Sequence, residues 1–391
     1  MLLSLSPKVI DRIISFLSDD PPSLRHCALT CRALRPASQR ALFHDIHIVS
    51  ASGMDSFIQH VESHMQEVLD LVRGLTIVED RTHPFGYLMP SQIVLRLARL
   101  ESLTFVNLAS NTSLHIPAFL TTLSGFTSVT KLSLFACKFD SFRDFSDLAS
   151  ALPHLSSLFV ENVEWQGSPL RSTENRCNLP PVPSRGPHLN TLVLSIDSDP
   201  RYFDAIVTWL LETPSAKSIA RLRVQSFNFS IEGEELLILG RLLHSLGGSL
   251  THLEMPFFDS SETILTFSDN VNLTSLYVNA GDIWFGGSAW LSVAGVMPGV
   301  ASCIQSLEAE YSIEYPVNMQ EEAKRHAGRA AVDIALNGEN FRNLKRVDLR
   351  VSVFIRPYET DLEREEIRDA LLQALRRGFT RLHSRGILFV R

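Results

Sequence analysis

The chain is poor in cysteine, has no excess of positive charge and contains no long apolar run. Its five cysteines, Cys27, Cys31, Cys137, Cys177 and Cys303, are scattered through 391 residues. An odd, sparse set is not the dense, even framework of a disulfide-stapled secreted domain, so a reducing compartment, cytoplasm or nucleus, is expected. Lys and Arg together number 36 against 43 Asp and Glu, a net charge of -7. No global positive field draws such a chain onto nucleic acid or an anionic membrane. Nowhere do about 18 apolar residues follow one another, so no membrane span is expected. The stretch from Met1 to Leu17 is rich in leucine, but Lys8, Asp11 and Arg12 interrupt it and no small-residue cleavage site follows. It reads as an amphipathic helix rather than a signal peptide. Catalytic signatures are missing too. No glycine fingerprint of the G-x-G-x-x-G kind follows a strand pattern, no G-x-S-x-G elbow or H-E-x-x-H pair occurs, and the 13 histidines show no ligand spacing. These absences lead to the expectation of a binding protein rather than an enzyme, without cofactor or metal.

What the sequence does contain is a recurring pattern. An apolar residue, two variable ones, an apolar residue, one variable and a third apolar residue stand together in Leu100-Glu-Ser-Leu103-Thr-Phe105. Copies begin at Phe43, Val72, Leu100, Val129, Leu155, Leu189, Ile219, Leu250, Leu273, Ile304 and Leu344, and a degraded last one ends in Ile387 and Phe389. Chance supplies about 14 such triplets in a chain of this length and composition, so spacing and context must decide. Most copies stand about 23 to 34 residues apart, and helical periodicity fills the intervals. Phe203, Ile206, Val207, Leu210 and Leu211 form one apolar stripe, and Leu236, Leu237, Leu239, Leu242, Leu243 and Leu246 another. A short strand and a helix per unit, each burying its apolar edge only by stacking on the next, resemble leucine-rich repeats. The usual Asn or Cys near the strand end is mostly missing, Cys137 alone filling that slot. The units look most like the long, degenerate repeats common in fungal proteins. A doubly wound α/β sheet alternates in the same way, but Gly247-Gly248-Ser249 and Gly286-Gly287-Ser288 lack the residues that cradle phosphate. The proline-rich stretch 166–187, with Pro169, Pro180, Pro181, Pro183 and Pro187, reads as a loop insertion.

The first 46 residues differ from the rest. Pro7 stands near a helix start, Val9, Ile10, Ile13, Ile14 and Leu17 are apolar at helical spacing, and Ser18 to Pro22 forms a polar break before a second helix. Leu5, Pro7, Ile10, Ile13, Leu17, Asp20, Leu24, Cys31-Arg32 and Leu42-Phe43 together resemble the F-box motif. The sequence departs from it at Ser6, Lys8 and Leu34, where proline, an acidic residue and tryptophan are common. The expected architecture is therefore α/β: a short F-box-like helical module at 1–46, then an irregular leucine-rich-repeat solenoid, a horseshoe of about ten to twelve strand-helix units, over 47–391. The resemblance implies a substrate receptor that docks on Skp1, and through it on a cullin-type ubiquitin ligase, with Leu5, Pro7, Ile10, Ile14 and Leu24 as the apolar contacts. The alternative is a repeat scaffold whose N-terminal helices only cap the solenoid, as repeat arrays require.

Residues flanking the apolar positions of each strand point to the opposite face of the sheet. Phe135, Phe159, Glu161, Arg223, Glu254, Tyr277, Glu308, Glu310 and Arg350 are the candidate target-binding residues on it, with Arg221, His252, Arg346 and Asp348 beside them. Aromatics and arginines on a charged face are what protein-recognition sites use.

Overall fold

The computed structural model describes residues 5–62, 66–80, 85, 89, 91–109, 116–165, 186–196, 199–226, 233–256, 265–279, 303–314, 329–354, 369 and 372–390. Internal contacts gather into two units, Met1–Pro187 and His188–Arg391. The proline-rich segment lies outside the described residues except for 186 and 187, as do Cys177 and Gly286 to Ser288.

The first unit begins with three helices, α1 (Pro7–Ser15), α2 (Pro21–Thr30) and α3 (Arg35–His44). Each carries proline in its first turn, where the missing N–H would have no intrahelical partner in any case. Asp20 caps α2 by accepting from the Ser23 amide at 3.2 Å, and hydrogen bonds from Ser23 hold its carboxyl below the usual range. Ile10 and Ile14 of α1, Leu24 of α2 and Ala37 of α3 are buried together, with Leu17, Cys27, Leu34, Ala41 and Leu42 packed around them. The Arg40–Asp11 pair at 2.6 Å joins α3 to α1, but both side chains are about half exposed and the pair adds little.

Strand and helix then alternate: β1 (Asp45–Ile48), α4 (Ala51–Glu62), α5 (Gln66–Leu69), β2 (Gly74–Val78), α6 (Ser91–Arg96), β3 (Ser102–Val106), α7 (Ile116–Ser124), β4 (Lys131–Phe135), β5 (Lys138–Phe139), α8 (Phe142–Ala151), β6 (Ser157–Glu161) and β7 (Glu164–Trp165). β1, β2, β3, β4 and β6 are parallel neighbours, and the same position of each copy lies in register with the next: Leu75 beside Leu103, Leu132 and Leu158, and Ile77 beside Phe105, Leu134 and Val160. β5 and β7 form a second, short parallel pair beyond the strand ends. The second unit repeats the plan with β8 (Thr191–Ser195), α9 (Pro200–Leu211), β9 (Arg221–Gln225), α10 (Gly233–Leu246), β10 (His252–Pro256), β11 (Ser275–Asn279), β12 (Ser306–Glu314), β13 (Arg346–Phe354), α11 (Thr380–Ser384) and β14 (Leu388–Val390), its seven strands again parallel.

All three apolar positions are buried in every copy from Val72 to Leu349. The first copy differs, because β1 has a neighbour on one side only in this unit: Ile48 is buried, whereas Phe43 and Ile46 are half-buried. α3 packs against β1 and α5, so the helical module covers that end of the sheet. The buried row of each sheet faces its helices, as the edge-on contact of Phe105 with Phe119 of α7 illustrates, with centroids 5.7 Å apart.

Two devices replace the missing asparagine ladder. Cys137, fully buried, donates its thiol to the carbonyls of Phe105 at 3.6 Å and Phe135 at 3.4 Å, and burial pushes its pKa up to about 12. The matching positions of the adjacent turns are Leu108 and Val163, both buried, so apolar packing takes the place of side-chain hydrogen bonds there. One residue earlier, Asn107, Ala136 and Asn162 all have left-handed backbone, with φ of 58°, 51° and 52°. Their shared turn aims the Asn107 amide at the Phe135 carbonyl and the Ala136 amide at the Glu161 carbonyl, both at 2.8 Å. Asparagine tolerates this region, whereas alanine adopts it at a cost. Ala136→Gly should therefore stabilise the protein by up to about 1 kcal/mol in denaturant titration, and Ala136→Val should destabilise it. Equal midpoints for the two variants would mean that the turn carries no strain.

Candidate interaction surfaces

Helix α1 is apolar on two sides. Ile10 and Ile14 turn inward, 8% and 3% exposed, and Leu24 of α2, at 1%, lies between them in the module core. Of the five residues that the motif suggests for docking, these three are interior and only Leu5 and Pro7 are exposed. Away from that core Val9 and Ile13 of α1, with Phe16 at its C-cap and Leu5 just before its N-cap, are exposed by 44%, 42%, 75% and 50%, an apolar set that periodicity alone does not single out. The Arg12 guanidinium lies 4.9 Å from the Phe16 ring centroid. Leu29 on α2 is 85% exposed. Cys27 belongs to the module core and Cys31 ends α2. Among the described residues no group of three or more His, Cys, Asp or Glu is placed to hold a metal ion.

In the first unit the sheet face away from the helices is mostly small and neutral. Thr76, Thr104, Ser133 and Phe159 form one cross-strand row, and Val78, Val106, Phe135 and Glu161 the next. Phe135 and Phe159, on diagonal neighbours, are in ring contact at 4.8 Å between centroids. Each ring is half-buried, and Ser133 beside them is buried. Glu161 sits at the Phe135 end of this pair.

In the second unit the corresponding face is charged and sorted by row. The middle row runs Val193, Arg223, Glu254, Tyr277, Glu308, Asp348 and Phe389 across β8 to β14. The row nearer the strand ends holds Ser195, Gln225, Asn279, Glu310 and Arg350. The charged groups of these two rows pair with one another, except Asp348, which pairs with Arg346 of the row nearest the strand starts. Arg223 Nε meets Glu254 at 2.9 Å, Arg350 pairs with Glu308, and Tyr277 Oη donates to Glu310 at 2.7 Å. Arg346 binds Asp348 with two nitrogens and lies 4.8 Å from the Phe389 ring centroid. The sequence-derived candidates Arg223, Glu254, Tyr277, Glu308, Glu310 and Arg350 thus come together as one patch, whereas Phe135, Phe159 and Glu161 belong to the other unit.

Burial raises the Glu254 carboxyl above its ordinary range against the pull of Arg223, and burial together with the bond to Glu310 raises Tyr277. For an acid with a raised folded-state pKa, folding is favoured below its unfolded value and stability falls as pH rises from about 4.5 through the folded value. In NMR titration of Glu254, the midpoint should exceed that of an exposed glutamate, and Arg223→Ala should move it higher still. A midpoint unmoved by Arg223→Ala would contradict the pairing.

No helix among the described residues is long and apolar enough to cross a membrane. No family model matches the chain, and no curated protein matches it. Among solved structures, a leucine-rich-repeat-containing protein, LegL7 from Legionella pneumophila, matches at 15% identity with a TM-score of 0.35, over 69% of this chain and 89% of its own. The class defined by the strand-helix repeat, its in-register apolar rows and its parallel ladders is a leucine-rich-repeat-like α/β protein.

Proposed function

We propose that the chain is an F-box substrate receptor: the N-terminal helices dock on Skp1 within a cullin-type ubiquitin ligase, and the repeats hold a target protein. The observation that carries this reading is the apolar set on and beside α1, Leu5, Val9, Ile13 and Phe16, which the described residues leave exposed. A contiguous exposed apolar face costs solubility unless a partner covers it. The F-box resemblance suggests the partner, and the burial of Ile10, Ile14 and Leu24 supports contacts on the outer face in their place. The receptor makes no bond itself; it acts by holding target and ligase together. It works in the cytoplasm or nucleus, where its thiols stay reduced.

The test is capture of purified Skp1 by the full-length chain, with Ile13→Asp combined with Phe16→Asp as the surface variant. Capture that the variant loses supports the reading, and no capture by the wild type overturns it. Ile10→Asp is unsuitable, because it places a charge in the module core and reports folding instead. The second reading, a scaffold whose helices only cap the repeats, is favoured by the packing of α3 on β1 and α5. Deleting residues 1–44 then leaves β1 in place but uncovered and aggregates the remainder, whereas a pure docking module leaves a soluble remainder that does not capture Skp1.

A further inference from the structure

The row of the second unit's face nearest the strand starts is unlike the other two. It runs Thr191, Arg221, His252, Ser275, Ser306 and Arg346, each beside the next on a neighbouring strand. It contains no acid. Arg221 and His252 are exposed, and among the described residues Arg221 has no ion pair. The Thr191, Ser275 and Ser306 hydroxyls have no acceptor among the described residues, and His252 shares only Nδ1, with the Thr251 hydroxyl at 2.8 Å. Every acid on this face, Glu254, Glu308, Glu310 and Asp348, lies in the other two rows; the first three face an arginine or Tyr277 there, and Asp348 is bound by Arg346 of this row. The polar groups of the face are thus divided into a satisfied network and a line of donors that are unused apart from two nitrogens of Arg346 and His252 Nδ1.

We propose that this line is the docking site for an acidic, carboxylate-rich segment of the target protein, lying extended across β8 to β13. This deepens the reading of the repeats as a target-binding face and rests on it. The argument is complementarity. Donors spaced at the strand separation of about 4.8 Å cover about 24 Å over six strands, and an extended segment of about eight residues spans the same length. Alternate side chains of that segment fall on one side about 6.6 Å apart, against about 4.8 Å between strands, so about four carboxylates lie along the six positions, each within reach of one or two of Arg221, His252, the serine hydroxyls and Arg346. A single phosphate would instead need several donors converging on one point, and here the donors are spread along a line. The paired acids of the middle row form the inner wall, and they reject an acidic segment that slides one row inward.

The experiment is fluorescence anisotropy of the full-length chain with a labelled eight-residue peptide of alternating glutamate and serine. The comparison peptides carry glutamine for glutamate, and glutamine with phosphoserine for serine. The glutamate peptide should bind, bind more weakly as salt rises, and lose at least tenfold in affinity with Arg221→Glu combined with His252→Glu. Glu212→Gln, at the C-terminal end of α9, should change affinity less than threefold. Circular dichroism of each variant checks the fold, and Arg221→Ala, which places no acid on the face, should lower affinity in the same direction. Equal binding of the glutamine peptide, binding of the phosphoserine peptide alone, or affinity indifferent to both Arg221 variants would overturn the assignment. The row variants should still capture Skp1, because α1 is untouched. Lost Skp1 capture with peptide binding intact would strike the docking of α1 and leave this site standing.

Discussion

Phe105→Ala should lower the stability of the protein by about 3–5 kcal/mol in denaturant unfolding, the range for removing a large aromatic from a packed interior. Phe105 is fully buried at the third apolar position of β3, with Ile77 and Leu134 in register on either side and Phe119 of α7 edge-on against it. Its removal takes away the transferred area, the aromatic contact and the filling of a space that strands fixed on both sides cannot close. Replacing Phe135 by alanine should cost distinctly less, because that ring is half-buried on the opposite face and shares its contact with Phe159. The contrast is the useful measurement: equal costs would mean that the buried row is not where the stability of the repeat resides. Unfolding followed by both fluorescence and circular dichroism also shows whether the two units melt together, which decides whether one free energy describes the transition.

The second large effect is on binding. Ile13→Asp with Phe16→Asp should reduce affinity for Skp1 at least a hundredfold while leaving the melting temperature within a few degrees of wild type. Both side chains lie on the exposed side of α1, so the charges enter water in the free protein and meet apolar surface only in the complex. A variant that unfolds would mean that the outer side of α1 is packed inside the protein. A variant that folds and binds normally would place the docking surface elsewhere.

The repeat was legible because its signal is redundant. From Val72 to Leu349 the apolar triplets recur, and a residue such as Leu103 is specified by Leu100 before it, by Phe105 after it and by its counterparts in neighbouring copies. The first two helices of the module were legible from Pro7 and the polar break at Ser18 to Pro22. Which side of α1 faces inward was not. Val9, Ile10, Ile13, Ile14 and Leu17 give a helix with more apolar surface than one interface uses, and only the positions of Leu24 and Ala37 select Ile10 and Ile14 for the core. A motif resemblance attaches residues to a role without separating those that touch the partner from those that hold the helices in place.

The turns after the strands were half legible. Asn107 and Asn162 are natural left-handed residues, but Ala136 between them carries no such signal and takes its conformation from the ladder on both sides. Glu79 was invisible in the sequence: a carboxylate just past β2 that is buried, accepting from the amides of Phe85 at 3.0 Å and Ala109 at 3.1 Å. Nothing local distinguishes it from a solvated glutamate, because its partners lie 6 and 30 residues away. The charged face was legible as a set of residues but not as rows. Alternation says that Arg221 and Arg223 point to the same side, whereas only the register of β9 with β10 and β8 puts one among unused donors and the other opposite Glu254.

Hydrogen exchange of the intact chain with and without Skp1 tests the docking of α1 most directly. The account predicts slowed exchange in Pro7–Ser15 and the turn that follows, with the strands from Arg221 to Arg346 unchanged. No slowing anywhere in residues 5–30, or slowing confined to the strands of the repeat, would contradict it.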